Sequence, residues 1–356
     1  MSARPILSIP ASTAQGTPRF ATATWATRLS DGRIAIADGG DAKVRLFAAT
    51  GVETRALGRE GRGPGEFSSL GWISTCGGDS LWVWDFVQAK MSVLHPSSGY
   101  TRAFLSPEMR SGDLPSCSPA REFAFTARFR RLPTAQPVLN AVVPSGGDYR
   151  VWIDTFDVQT FDANAGPMRS VSAATRRESI SGRAKDGRFA SFARPLGLTT
   201  STAFLGDRLV IAQSDSGRVR FADPAGATER EFRLQVTRRA PSLSEYGRAL
   251  DDLVLSMPGF VREQFKNVGA LVPPPDHLPT FHAMFADPDG LLWFVMSPPG
   301  AVPSALRVYR PTGDHVASLA VPASLVVFEI GRDYLLGRSE DEDGEQAIVL
   351  YRLTRR

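Results

Sequence analysis

Short apolar runs alternate with polar corners along most of the 356-residue chain. Residues 34–37 (IAIA) form a continuous apolar run, the pattern of a strand buried on both faces. Asp31-Gly32 just before it is a hairpin signal, and residues 22–29 supply a strand on the other side of that turn. Val44, Leu46 and Val52 continue in alternation, with Gly51 marking a second turn. The unit is a meander of strands in which the second is the most buried.

The same order recurs. Residues 81–85 (LWVWD) overlay 34–38, and 91–94 (MSVL) overlay the next strand. Residues 207–226 match 32–51 at a constant offset, with LVIA at 209–212 and VRF at 219–221. A further copy spans 281–319, with Asp289-Gly290 and Gly313 at its turns and extra residues at 298–303. The last, 324–353, has three recognisable strands. The least regular copy lies across 115–173, with one strand at 121–129 and the next strand and its turn at 148–166. Between them, RRLPTAQPVLNAVVPSGG reads as an insertion or an extended hairpin.

A period of about 40–45 residues with turns at fixed offsets is the signature of propeller blades. One such sheet cannot bury both faces alone, so the copies are expected to stack around an axis. The fold class expected is all-β: a six-bladed β-propeller, or seven-bladed if the long third region hides two blades. The final copy lacks an outer strand, and the N-terminal segment has one to spare. Pairing 6–9 beside 347–353 would close the ring and remove exposed edges. The expected organisation is one domain over 1–356: an arm at 1–19, blades at 20–69, 70–110, 111–175, 190–240, 280–322 and 323–356, and a helical insertion at 241–279.

After the first copy comes LGREGRGPGEF, residues 57–67. Together with the preceding DGRIAIAD and VRLF, this run resembles the NHL-repeat-like bacterial six-bladed β-propeller proteins. In that group a Gly-Arg-x-Gly-x-Gly-Pro-Gly-Glu-Phe stretch leads from one blade to the next. Here it is Gly58, Arg59, Gly61, Gly63, Pro64, Gly65, Glu66 and Phe67. The resemblance implies a fold, with no particular activity and no catalytic residue. It also implies a periplasmic or surface location if an export segment is missing from this sequence. Read alone, the N-terminus has no signal-peptide pattern, which points to the cytoplasm. The run is not a phosphate loop: it lacks a Gly-Lys-Ser/Thr ending, and Pro64 removes an amide donor. Its expected role is structural, with Phe67 plugging a gap between blades and Glu66 engaging nearby donors.

Two stretches break the repeat. Residues 174–193 are polar and basic, and read as a surface loop between the third and fourth blades. Arg176, Arg177, Arg183 and Arg188 could serve an anionic ligand there. Residues 242–267 open with a capping box, Ser242 and Glu245, followed by Leu243, Tyr246, Leu250, Leu253 and Met257 at helical spacing. Pro258-Gly259 ends that helix, and 260–265 predicts a second short one. The insertion either packs statically against the propeller or forms a lid over the channel mouth.

Composition narrows the functions. Of 41 basic residues only four are lysine, and acidic residues are interspersed, so the net charge of +4 does not describe a nucleic-acid groove. No apolar run is long enough for a membrane helix. Cys76 and Cys117 are either buried thiols or a disulfide. His95 and His315 lie beside turns. His277 and His282, with Asp276, form a thin metal-ligand set that lacks a third clear donor beyond them. The acidic runs at 287–290 and 340–344 could hold calcium, but Asp-Gly turns explain both more cheaply.

The candidate ligand-binding residues are Arg194, Tyr246, His277 and His282. No catalytic residue, cofactor or metal is expected, with calcium or zinc as the open alternative. The expected function is a monomeric binding or scaffold propeller that recognises a protein, peptide or glycan through one ring face. The alternative is a metal-dependent hydrolase or lyase of the lactonase type on the same fold.

Overall fold

The computed structural model describes residues 1–13, 16–17, 19–105, 124–130, 137–143, 147–161, 169–184, 186–206, 208–223, 227–255, 257, 259–296, 304–341 and 343–355. For 124–130, 137–143, 147, 154–161, 169–176 and 260 it describes the backbone alone. Among the described residues the chain forms six antiparallel sheets of four or five strands, a two-stranded ribbon and two α-helices.

Sheet I holds Ala23–Arg28, Ile34–Asp38, Lys43–Phe47 and Glu53–Leu57 in that order, and sheet II holds Leu70–Thr75, Leu81–Asp85, Lys90–His95 and Gly99–Leu105. Sheet IV runs through Thr200–Leu205, Arg208–Gln213, Arg218–Ala222 and Thr228–Arg233. Sheet V runs through Ala283–Ala286, Leu292–Val295, Ser304–Tyr309 and His315–Val321. Sheet VI has Val326–Ile330, Tyr334–Glu340 and Gln346–Arg352, and its fourth strand is the N-terminal Leu7–Pro10. Leu7 lies opposite Leu350, and Ile9 opposite Ile348.

The continuous apolar runs are second strands with both faces covered. In sheet I, Ala35 and Ala37 pack toward sheet II with Leu70, Ile73 and Val83. Ile34 and Ile36 pack the other way, toward Phe328, Leu336 and Ile348 of sheet VI. Outer strands such as Glu53–Leu57 are largely solvent-facing, so only one face in the stack is polar. First strands of neighbouring sheets pack in succession: Val326–Ile330 on Ala23–Arg28, that strand on Leu70–Thr75, and Thr200–Leu205 on Ala283–Ala286.

In three of the sheets a buried corner residue ties the meander at one end. Asp38 accepts hydrogen bonds from the Ala21 and Thr22 amides (3.1 and 3.0 Å) and from Arg45 Nε (2.9 Å). Asp85 does the same for the Ser68, Ser69 and Gln88 amides. In sheet IV the Ser214 hydroxyl takes over, accepting from the Thr199 amide at 2.8 Å.

Sheet III departs from the repeat. It runs Ala124–Arg130, Gly147–Phe161, Arg169–Arg183 and Phe189–Ala193, and Pro137–Val143 covers the other half of Gly147–Phe161. Pro137–Val143 and the start of Gly147–Phe161 therefore pair antiparallel, with Val143 opposite Gly147. The expected surface loop at 174–193 is instead two paired strands of this sheet, with Ser179 opposite Ala193 and Arg183 opposite Phe189. Alternating Ile180, Gly182, Ala190 and Phe192 supply the strand pattern that the polar composition masks. Phe189–Ala193 thus belongs with the third sheet, and sheet IV begins only at Thr200.

The insertion between sheets IV and V forms helix α1 (Leu243–Leu255) and helix α2 (Arg262–Gly269). The capping box is formed: the Ser242 amide donates to Glu245 Oε2 at 2.8 Å, and the Glu245 amide to Ser242 Oγ at 3.2 Å. Both helices pack on sheet III, where Leu250, Val254 and Val268 join Val151, Ile180 and Phe192, and Phe265 stacks on Phe192 at 4.7 Å. Leu243 is 79% exposed and lies outside the buried stripe, which instead runs through Tyr246, Ala249, Leu250 and Val254. Leu243 opens the helix, before its apolar face turns toward the protein. No helix among the described residues is long and apolar enough to cross a membrane.

Candidate functional site

The glycine-rich run after sheet I folds as a compact strap. Arg59–Glu60 and Glu66–Phe67 pair in parallel, and Glu66 accepts from Arg59 (2.9 and 2.7 Å) and from the Gly63 amide (2.8 Å). These donors hold the Glu66 carboxyl below its ordinary range, the Gly63 amide foremost. Lys90 Nζ donates to the Glu66 carbonyl at 2.7 Å. Phe67 is fully buried between sheets I and II, against Leu57 and Leu70. Gly58 sits at φ +86°, and a Cβ there would come within 2.4 Å of the Phe67 ring. Gly61 and Gly65 also have positive φ, and a Cβ at Gly61 would meet the Glu66 carboxylate. The Glu66 carboxylate and the Lys90 ammonium are turned onto the strap itself, while Glu60 and Arg62 are exposed.

The other candidates gather at a different place. A cavity of about 400 Å³ lies where sheets I, III, V and VI meet helix α1. Sheet I gives Thr22, Thr24 and Trp25. Sheet VI gives Val326, Phe328 and Arg338. Sheet III and the turn after it give Arg177 and residues 193–199, while His282 comes from just before sheet V. Ala249, Asp252 and Leu253 of α1 form the remaining wall. Helix α1 therefore packs on sheet III with one face and lines the cavity with another.

The turn at 194–197 is tightly determined. The Gly197 amide donates to the Arg194 carbonyl at 3.0 Å, and Leu196 adopts φ +54°. A left-handed conformation is unusual for a bulky side chain and persists only where the surroundings enforce it. Here Leu196 is buried against Tyr246 and Ala249 of α1. Arg194 lies beneath, paired with Glu178 at 2.5 Å and donating to the Pro273 carbonyl at 2.6 Å. Tyr246 is buried, donates to the Gly269 carbonyl at 3.2 Å, and has its phenol pushed up to about 12 by burial. Tyr246 thus supports the cavity from behind through Leu196 and is not part of its lining.

His282 faces the cavity edge, and burial pushes its imidazole down to about 4. Its Nε2 is buried and has no hydrogen-bond partner among the described residues. His277 is exposed and not among the cavity residues, as is Asp276, so the histidine pair is not assembled. No group of three or more His, Cys, Asp or Glu that could hold a metal occurs among the described residues. Asp287, in the first acidic run, already accepts from the Asp289 and Leu291 amides and Trp293 Nε1, and pairs with Arg355 at 2.9 Å. Asp341, in the second, accepts from the Asp343 and Glu345 amides. His95 and His315 are exposed beside turns.

Of the basic residues in 174–193, Arg177 is buried and lines the cavity. Arg183 and Arg188 are turned to the surface, the latter paired with Asp186. The Arg176 side chain lies outside the described residues. Cys76 is fully buried and disulfide-bonded, while Cys117 lies outside the described residues.

Sequence reasoning missed Arg338, Asp252, Trp25 and Phe328. Trp25 and Phe328 stack at 4.7 Å and form an aromatic wall between sheets I and VI. Arg338 donates to the Ala23 carbonyl at 3.0 Å, and burial lowers its pKa. Burial raises the Asp252 carboxyl, with Arg338 acting in the opposite sense. A signal for Arg338 was present. It stands in the second strand of its repeat, where the first two copies carry the corner aspartates.

No protein-family model matches this chain, and neither does any curated protein. Solved structures do. A member of the DUF4221 family from Bacteroides vulgatus aligns over 98% of this chain and 97% of its own at 9% identity, with a TM-score of 0.51. Virginiamycin B lyase from Staphylococcus aureus aligns over 93% and 95% at 10% identity, with a TM-score of 0.41. BamB from Moraxella catarrhalis aligns over 97% and 98% at 10% identity, with a TM-score of 0.40. The chain has a β-propeller fold. At these identities the likeness is one of architecture.

Proposed function

We propose that this chain is a six-bladed, NHL-repeat-like propeller, closed by its N-terminal strand, that works as a monomeric binding protein. It recognises a peptide, protein or glycan through the face that carries α1, with the cavity taking the part of the ligand that anchors it. The observation carrying this reading is the cavity itself. Four sheets and an inserted helix converge on one concave site with an aromatic wall and a few polar groups. That is the usual make-up of a ligand pocket, and its volume falls within the ordinary range of about 300–1,000 Å³. The strained Leu196 turn on its rim is a second sign of a site held in shape by its surroundings.

Thermal unfolding with a panel of probes tests it: tripeptides, chito- and malto-oligosaccharides, and the fragments indole and benzoate. Some probes are expected to stabilise the wild type and to lose that effect in Leu253→Trp, which fills the cavity from α1. Probes that stabilise both proteins equally, or none that stabilises the wild type, would overturn the cavity as the binding site.

A further inference from the structure

Four polar groups around the cavity lack part of their hydrogen-bond complement. Arg338 spends one N–H on the Ala23 carbonyl, and no acceptor among the described residues takes the others. Asp252, partly exposed on the α1 wall, receives no donor among the described residues. His282 Nε2 is the third. Buried polar atoms are nearly always paired, as His282 Nε2 is not, and the partly exposed Arg338 and Asp252 keep hydrogen-bonding capacity turned to the cavity. Arg338 and Asp252 sense each other electrostatically, with Glu340, Asp251 and Arg248 contributing nearby, yet no ion pair joins them. Arg194 is the fourth: Glu178 and the Pro273 carbonyl hold its two Nη atoms, while its buried Nε has no partner among the described residues. Beside the open charges stands an apolar wall of Trp25, Phe328, Leu196 and Leu253.

We infer that the cavity binds a zwitterionic amino-acid ligand with an apolar or aromatic side chain, its carboxylate on Arg338 and its ammonium on Asp252. This deepens the binding reading above and rests on it. A guanidinium takes a carboxylate through parallel N–H donors, and a carboxylate takes an ammonium as acceptor. A simple anion would leave Asp252 unsatisfied and repelled, and a simple cation would do the same to Arg338. A ligand carrying both charges satisfies both groups at once and bridges the gap between them. The His282 imidazole, neutral at pH 7, adds one further polar contact on the same rim. The side chain of the ligand then lies against the Trp25–Phe328 stack. Such a ligand has two sources, a free amino acid or a short peptide, which differ in the separation of their charges.

Calorimetric titration of the whole chain separates the possibilities. The probes are L-phenylalanine, the dipeptide leucyl-phenylalanine, N-acetyl-L-phenylalanine and L-phenylalaninamide, with indole as a charge-free control. Phenylalanine or the dipeptide is expected to bind, the tighter of the two naming the source. Blocking either charge is expected to weaken binding by about tenfold or more. Asp252→Asn should erase the penalty of acetylation, and Arg338→Gln the penalty of amidation, each with its melting curve recorded to establish folding. If Arg338→Gln does not fold, Asp252→Asn alone decides. Equal binding of free and acetylated phenylalanine would overturn the inference. So would binding of indole, lost in Leu253→Trp, without binding of either zwitterion; the cavity would then stand as a site of another chemistry. If neither indole nor a zwitterion binds, the cavity reading falls with it.

Discussion

Arg338 occupies in sheet VI the register position that Asp38 occupies in sheet I. Asp38 lies opposite Ala23, the first residue of its sheet, and Arg338 lies opposite Val326, the first residue of its own. Asp85 holds the same place opposite Leu70. In two sheets the corner carboxylate turns inward and ties down the incoming loop. In the last sheet a guanidinium replaces it, reaches across to the Ala23 carbonyl, and borders the cavity. A structural corner of the repeat has become part of the site.

The remaining corners are expected to be costly to lose. Asp38 is fully buried and engages two amides and Arg45, itself 16% exposed. Asp38→Ala leaves the Ala21 and Thr22 N–H groups without an acceptor and removes one of three carboxylates that hold Arg45, with Asp41 and Glu53 remaining. A loss of about 2–4 kcal/mol in denaturant unfolding is expected. A loss under about 1 kcal/mol would show that water replaces the carboxylate.

The strap after sheet I gives a paired comparison of glycines. Gly58 and Gly78 share a left-handed backbone, at φ +86° and +83°. A methyl group at Gly78 meets open space, whereas at Gly58 it meets the Phe67 ring at 2.4 Å. Gly78→Ala should cost about 1 kcal/mol of backbone strain, and Gly58→Ala about 1–3 kcal/mol more through overpacking. Equal losses in urea unfolding would mean that the Phe67 ring gives way freely.

Glu245 sets an acid limit on the helical insertion. Its paired contacts with Arg239, foremost, and with Ser242 lower its carboxyl to about 2. The native state therefore holds the charged form more tightly than the unfolded chain does. The resulting stability is complete above the ordinary value of 4.5 and drains away as pH falls toward 2. Arg239→Gln is expected to lower stability at pH 7 and to flatten the decline between pH 5 and 2, as read from urea midpoints.

His282 works in a higher window. Its imidazole, pushed down by burial to about 4, stays neutral in the folded protein where the unfolded chain, near the ordinary value of 6.5, takes up a proton. Stability therefore falls as pH drops from about 6.5 to 4. His282→Gln should show a shallower slope over that interval, and an unchanged slope would mean that the ring is solvated. If His282 contacts a ligand carboxylate, bound ligand would make the wild-type slope shallower too.

The blades were legible because each second strand must be apolar on both faces, which leaves runs such as Ile34–Asp38 and Leu81–Asp85 unbroken in the sequence. The helix start was legible because Ser242 and Glu245 satisfy each other locally. Sheet III was not, since its long strands Gly147–Phe161 and Arg169–Arg183 pair over distances that the period does not anticipate. Of the site, His282 was visible as a histidine near a blade entry, but nothing local separated it from His277, which stayed on the surface. Arg194 was visible as a basic residue, and its engagement by Glu178 was not. Trp25 and Phe328 looked like ordinary core residues, because only the meeting of sheets I and VI turns them into a cavity wall.

The pairing of Leu7 with Leu350 also bears on how the protein is made. During synthesis Leu7–Pro10 leaves the ribosome long before its partner Gln346–Arg352 exists. At roughly 5–20 residues per second the wait is on the order of tens of seconds. Throughout it, the strand segment and the apolar side chains destined for sheet VI lack their seat. An apolar strand left open that long is a template for a neighbour's edge, so the yield of folded protein is expected to fall as translation slows.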